Sequence, residues 1–171
     1  DYDMANDYMG DFSDLLRIIL ENSGKSTVSI NNEINTLRLY LDIEKMRTEG
    51  MIEYQINVDP KIDLLNNFMP PLIIQPFVEN AIWHGILPTD KKGLIKVDIE
   101  KKDEKTLKCI ICDNGIGIEK SRKAKATEGH TSKGMKITEA RLNITNAVTV
   151  EELDIGGTKV TILIPLSKHH D

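Results

Sequence analysis

Apolar residues Met4, Tyr8, Phe12, Leu15, Leu16, Ile19 and Leu20 recur at intervals of three and four over positions 3–22, which predicts an amphipathic helix. Ser23-Gly24 supplies its stop. A second helical pattern covers 31–47, with Ile34, Leu37, Tyr40 and Leu41 on its buried side, Ser29 or Asn31 as N-cap and Glu33 in the first turn. Such a pair either completes a domain core or forms half of a dimeric helical bundle, and the pattern leaves both open. Beyond Gly50 the period changes. Ile52, Tyr54, Ile56 and Val58 alternate with polar residues, as in a half-buried strand, and Asp59-Pro60 ends the run.

Pro70-Pro71 can open a helix that runs to His84 and is ended by Gly85, with Pro76 implying either a kink or a later start. Strand patterns follow over 94–100 and 106–112, joined by a charged turn. Positions 119–133 are rich in Lys, Ala, Thr and Gly without apolar periodicity. They predict a mobile loop of the length that functional lids have. A helix over 134–147 and strands over 148–153 and 158–165 complete the chain, which has no internal repeat. The order predicts an α+β two-layer sandwich, a mixed β-sheet covered on one face by helices. It divides as a helical segment over 1–48 and a globular domain over 49–168.

Composition narrows the function classes. With 171 residues and 40% hydrophobic content a full core can form, and a net charge of −5 gives no general attraction to nucleic acid or acidic lipid, so neither is expected as main partner. Cys109 and Cys112 share a C-x-x-C spacing without a second pair, which favours structural thiols over metal or redox chemistry and fits a reducing, cytoplasmic setting. No run approaches the ~20 apolar residues of a membrane span. The acidic start lacks the form of a signal peptide and falls inside a helical pattern, so the chain reads as part of a longer protein. Positions 167–171 form a polar tail in which His169 and His170 are solvated.

Chemistry concentrates in four segments. In Val78-Glu79-Asn80-Ala81, the Asn80 amide is a hard oxygen ligand suited to Mg²⁺ when phosphates supply the charge; Glu79 could orient water, and His84 shares the Asn80 face and could touch phosphate. A helix cap or solvated polar stripe explains the same pair. Asp113-Asn114-Gly115-Ile116-Gly117 offers a carboxylate acceptor for a base-edge amino group and glycines that admit a ligand, although Asn-Gly is also a common turn. His130-Thr131-Ser132-Lys133-Gly134-Met135-Lys136 sets a basic, hydroxyl-bearing loop before a helix, where N–H groups bind phosphate. Gly156-Gly157-Thr158 adds a hydroxyl at a glycine turn.

The order of these segments resembles the ATP-binding domain of sensor histidine kinases, within the gyrase, Hsp90, kinase and MutL ATPase superfamily. Pro70-Pro71-Leu72-x-x-Gln75-Pro76-Phe77-Val78-Glu79-Asn80-Ala81-Ile82-x-His84-Gly85 is similar to the asparagine box of the LytS-like class. The runs Phe12-Ser13-Asp14-Leu15-Leu16-Arg17, Leu20-Glu21-Asn22-Ser23 and Leu39-Tyr40-Leu41-x-x-Glu44-Lys45-x-Arg47 resemble the same class. The resemblance implies a Bergerat-type fold binding ATP and Mg²⁺, with Asn80 as metal ligand and Asp113 accepting from the adenine amino group. It also implies that Gly115 and Gly117 shape the pocket, that Gly134, with Lys133 and Met135 beside it, lies at the phosphates, and that Thr158 supports the adenine end.

Implied partners are a response-regulator receiver domain and a second copy in the full-length protein, whose membrane attachment would lie outside this chain, making this the cytoplasmic part of an inner-membrane kinase. Three departures bear on that reading. None of the four histidines stands in the family's His-Phe-x-x-Asn phosphoacceptor context, so the chain alone is expected to bind nucleotide without autophosphorylating. Trp83 occupies a position where relatives carry a phosphate-contacting Lys, and is either a packing aromatic or a sign of an altered phosphate contact. Ser132 stands where many relatives have glycine. These departures feed the alternative of a pseudokinase scaffold with weak nucleotide binding. A clamp ATPase of the superfamily would need a glutamate where Pro76 stands, and a purely structural module leaves four ordered segments unexplained.

Overall fold

The computed structural model describes residues 2–118, 131–143, 145–154 and 156–168, and of residues 2–7 and 131–136 the backbone alone. The front of the chain folds as predicted into two helices, α1 (Tyr2–Ser23) and α2 (Ile30–Arg47), with a short strand β1 (Val28–Ser29) between them that the pattern did not predict. Of the two candidate caps Ser29 is used, its hydroxyl accepting from the Asn32 N–H at 3.2 Å, and the buried Asn22 side chain at the end of α1 donates to the Asn32 side chain at 3.0 Å. The apolar residues of α1 divide into two stripes. Leu15 is buried and Tyr8 and Ile19 are half-buried against the core, whereas Met9, Phe12, Leu16 and Leu20 face outward with 39–74% exposure.

The remaining elements are β2 (Ile52–Val58), β3 (Phe68–Met69), α3 (Gln75–Asn80), a π-helical turn (Ala81–Ile86), a 3₁₀ turn (Leu87–Thr89), β4 (Gly93–Lys101), β5 (Thr106–Asp113), α4 (Thr131–Leu142), β6 (Val148–Glu152) and β7 (Thr158–Pro165). Five strands form one sheet in the order β2-β4-β5-β7-β6, with β2 and β4 parallel and the other neighbours antiparallel, so the sheet is mixed as expected. β1 and β3 pair separately.

Strand alternation sets the core on one side of the sheet. Ile95, Val97 and Ile99 of β4, Leu107, Cys109 and Ile111 of β5 and Ile162 and Ile164 of β7 are buried with Ile34, Leu37 and Leu41 of α2 and Phe77, Val78 and Ile82. Each large side chain so buried contributes about 1.5–3 kcal/mol. Alternate residues Lys108, Ile110 and Cys112 lie on the opposite, half-exposed face. Cys109 and Cys112 therefore point to opposite faces and are free thiols, both pushed upward in pKa chiefly by burial.

Of the two outcomes expected at Pro76 the later start holds, and three other boundaries differ from expectation. Residues 70–74 form a turn, with Leu72 in the left-handed region at φ 56°, and α3 starts at Gln75. Pro76 thus falls in the first turn, where its missing N–H costs nothing. Gly85 does not end the helix. The chain continues through the π and 3₁₀ turns until Asp90 adopts a left-handed φ of 52°. The last helix begins at Thr131 rather than Gly134 and stops at Leu142, because the apolar residues Ala147 and Val148 pack with the sheet. Of the expected lid over 119–133, positions 119–130 lie outside the described residues and Thr131, Ser132 and Lys133 belong to α4. His130, His169 and His170 also lie outside the described residues.

Candidate functional site

Asp113 ends β5 on the buried face, and its position there follows from the same alternation that buries Leu107, Cys109 and Ile111. Its carboxylate accepts the Gly115 N–H at 2.8 Å and the backbone N–H of Thr158. Burial nonetheless holds the carboxyl above the usual carboxylate range, because desolvation outweighs these two donors. A carboxylate kept in a low-dielectric recess discriminates strongly between ligands that can donate to it and ligands that cannot.

Close backbone approaches build the recess. A Cβ placed on Gly85 would lie 2.8 Å from Asp113 Oδ1, and one on Gly115 would lie 2.2 Å from the Gly85 carbonyl carbon. The Ile116 N–H donates to the Gly85 carbonyl at 2.9 Å, which fastens the segment after β5 to the π turn. Asn114 Oδ1 accepts the Leu94 N–H at 2.7 Å, tying the same segment to the start of β4. Gly157 has φ 95°, and a Cβ there would meet the Asp113 carbonyl oxygen at 2.0 Å. Gly117, at φ 81°, lies instead beside Glu152 at the end of β6.

The structure therefore joins three of the four segments singled out by sequence: the helix following Asn80, the segment after Asp113 and the glycine turn before Thr158. Asn80 is exposed at the end of α3, one turn before Gly85. Glu79 is half-buried and accepts from Gln75 Nε2 at 2.9 Å. His84 is half-buried in the π turn. Lys133, Gly134 and Met135 lie in the early turns of α4, and their side chains are outside the described residues.

Sequence reasoning missed the parts played by Gly85, Asn114 and Gly157. The motif contained Gly85, but its contact with Asp113 joins the π turn to the end of β5. It also missed Arg47, whose guanidinium stacks 4.3 Å above the Trp83 ring centroid while bonding Glu44 Oε2. Trp83 is thus a packing aromatic that remains 49% exposed. A cavity of about 220 Å³ lies at the opposite end of the sheet, lined by Lys61, Asp63, Lys101, Glu104 and Lys168, and its Lys101 is already paired with Glu104 at 2.6 Å.

Comparison with known proteins bears on the same segments. The family described as histidine kinase-, DNA gyrase B- and HSP90-like ATPase matches residues 71–168, and a histidine kinase family matches residues 1–52. The chain is 31% identical to YwpD of Bacillus subtilis, over 98% of this chain and 61% of that protein. It is 32% identical to the sensor histidine kinase/phosphatase LytS of Staphylococcus aureus, over 69% of this chain and 20% of that protein. The chain thus spans about three fifths of the first relative and a fifth of the second. Among solved structures, the mycobacterial sensor histidine kinase MprB aligns with TM-score 0.57 at 15% identity, over 85% of this chain and 99% of that one. The histidine kinase ThkA, solved with the response regulator TrrA, aligns with TM-score 0.54 at 16% identity, over 96% of this chain and 49% of that one. These two likenesses concern the fold, which is that of histidine kinase catalytic domains.

Proposed function

The chain belongs to the histidine kinase-, DNA gyrase B- and HSP90-like ATPase family, and from that premise we propose that it is the ATP-binding catalytic portion of a LytS-like two-component sensor histidine kinase. The observation that carries this reading is the buried Asp113 carboxylate, held by two backbone donors in a recess that a Cβ on Gly85 would fill. In this reading Asp113 accepts the adenine amino group, Gly115 and Thr158 line the base, Gly117 shapes the pocket from beside Glu152, and His84, Lys133, Gly134 and Met135 face the phosphates.

Asn80 is the proposed Mg²⁺ ligand, with Glu79 as an auxiliary metal-shell or acid/base group. The donor set fits the ion. Among the described residues no cluster of three or more His, Cys, Asp or Glu could hold a metal. Mg²⁺ is commonly held by one or two protein oxygens together with substrate phosphates and waters, and an exposed amide beside a carboxylate suits that arrangement. When bound, the ion would neutralise charge on the polyphosphate, leaving the chain's own residues to bind and orient the nucleotide.

In the whole protein the γ-phosphoryl group passes to a histidine outside this chain and then to an aspartate of a response-regulator receiver domain. ThkA, a fold relative solved with a response regulator, supports that partner class. Residues 1–48 are the proposed end of the dimerisation and phosphotransfer region with its linker, and residues 49–168 the ATP-binding domain. The outward stripe of Met9, Phe12, Leu16 and Leu20 supports a homodimeric bundle completed by a second copy. Among the described residues no helix is long and apolar enough to cross a membrane, so the membrane anchor of this proposal lies in other segments.

Isothermal titration with ATP, with and without Mg²⁺, tests the reading. The parent chain binds Mg-ATP with higher affinity than ATP alone. Asn80→Asp puts a carboxylate against the phosphates and lowers Mg-ATP affinity on the order of tenfold, with loss of the metal dependence. A variant indistinguishable from the parent removes Asn80 from the metal site. Absence of nucleotide binding by the parent supports the pseudokinase scaffold instead, the reading fed by Trp83 in place of a lysine and Ser132 in place of a glycine.

A further inference from the structure

Trp83 sits in the middle of the π-helical turn Ala81–Ile86, directly after the helix that carries Asn80. A π turn holds one residue more per turn than an α-helix and is rarely stable without tertiary support. On one side this turn is pinned by the Gly85 carbonyl, which accepts from Ile116, and by the contact of Gly85 with Asp113. On the other side three side chains from the last turns of α2 engage it. The Arg47 guanidinium lies over the Trp83 ring, Glu44 holds that guanidinium through its Nε and Nη2 at 3.1 and 2.5 Å, and Tyr40 is hydrogen-bonded to Trp83. Glu44 and Tyr40 are buried. Arg47 is therefore held by Glu44 where the end of α2 meets the exposed Trp83.

We infer that Arg47 is a positioning residue: through its stack on Trp83 it sets the turn that follows Asn80, and so couples α2 to the phosphate end of the nucleotide site. The inference rests on the nucleotide reading of Asn80 and Asp113. The adenine end is held separately as well, because Asp113 accepts from Gly115 and Thr158 and the Gly85 carbonyl is fastened by the Ile116 N–H. Coupling of this kind is reciprocal. Whatever tightens the phosphates on the turn also tightens α2 on Trp83, by the same factor.

The split between phosphate and base gives the test. In the full 171-residue chain, Arg47→Ala lowers ATP affinity about fivefold or more by calorimetry and leaves AMP affinity within twofold of the parent. Trp83 is the single tryptophan, so its emission reports the stack directly and shifts to longer wavelength in the same variant. Arg47→Lys keeps a cation over the ring and restores most of the ATP affinity. Trp83→Phe keeps a ring beneath the guanidinium while removing the indole N–H that faces Tyr40, and retains most of the ATP affinity. Equal losses for ATP and AMP, or no loss for either, overturn the positioning role. A parent chain that binds neither nucleotide removes the nucleotide reading itself and this inference with it, a result separable from the first two because it precedes any substitution.

Discussion

Asp113→Ala lowers adenine-nucleotide affinity by about 100-fold, the largest effect expected of any single substitution at the candidate site. A hydrogen bond to a charged group contributes about 1.5–3 kcal/mol, or roughly 10- to 150-fold, and the burial of Asp113 puts it toward the upper end. Asp113→Asn is the sharper probe. Its oxygen still accepts the Gly115 N–H, so the local turn survives, while its amide faces the adenine amino group with a donor and keeps most of the affinity loss. Calorimetry with ATP and ADP reads both variants, and affinities within twofold of the parent would exclude Asp113 from base recognition.

The protonation of Asp113 adds a second signature. Its carboxyl is raised above the usual carboxylate range by burial, with the Gly115 and Thr158 donors opposing. A folded-state pKa above the unfolded value means that the group's contribution to stability is fully present below the unfolded pKa and is lost as pH rises through the folded one. Base recognition runs the other way, since the ionised carboxylate is a stronger acceptor for the adenine amino group than the neutral acid. Nucleotide affinity therefore rises over the same pH interval in which this group's stabilising contribution falls, and Asp113→Asn flattens both curves.

Glu33→Ala lowers stability by about 3–5 kcal/mol, which moves the unfolding midpoint by roughly 10 °C in a chain of this size. Glu33 is 2% exposed, and its carboxylate accepts the N–H groups of Leu72, Ile73 and Ile74 at 2.9, 3.1 and 3.5 Å. These donors belong to the strained turn that leads into α3. Removing the acceptor leaves them in the interior without a partner, and strips the charge that faces Arg141, whose Nη2 donates to the Pro71 carbonyl at 2.6 Å. Desolvation pushes the Glu33 carboxyl upward despite its donors and Arg141, so Glu33→Gln, which keeps an acceptor oxygen and discards the buried charge, costs far less than alanine. Urea unfolding distinguishes the two variants. An alanine variant as stable as the parent would show that the turn finds other acceptors.

Glu33 also shows where local reading stops. Its place in the first turn of α2 marks it as an acid favoured by the helix dipole, which accounts for its chemistry through its own helix alone. In the fold it serves another segment 39–41 positions away. Arg47 and Trp83 repeat the lesson. Each is visible in sequence, yet their stack depends on α2 lying across the π turn. Gly85 reads as a helix stop and is instead the point where two backbones meet, because Gly115, just after β5, packs directly on the π turn. The strands were far more legible: β7 falls on its expected bounds, since alternation with period two is a local property.

The sequence by itself determined the four main helices, the five strands of the sheet and the order of the four chemical segments, because hydrophobic period and turn chemistry act between residues a few positions apart. Tertiary structure alone decided that β2 runs parallel to β4, that the helix after Asn80 becomes a π turn, and that Asp113 lies in a recess against Gly85. The reason is physical. Those features are set by backbone groups and side chains brought together from distant parts of the chain, whose desolvation and hydrogen bonding exist only once the sheet and its helices have closed on one another.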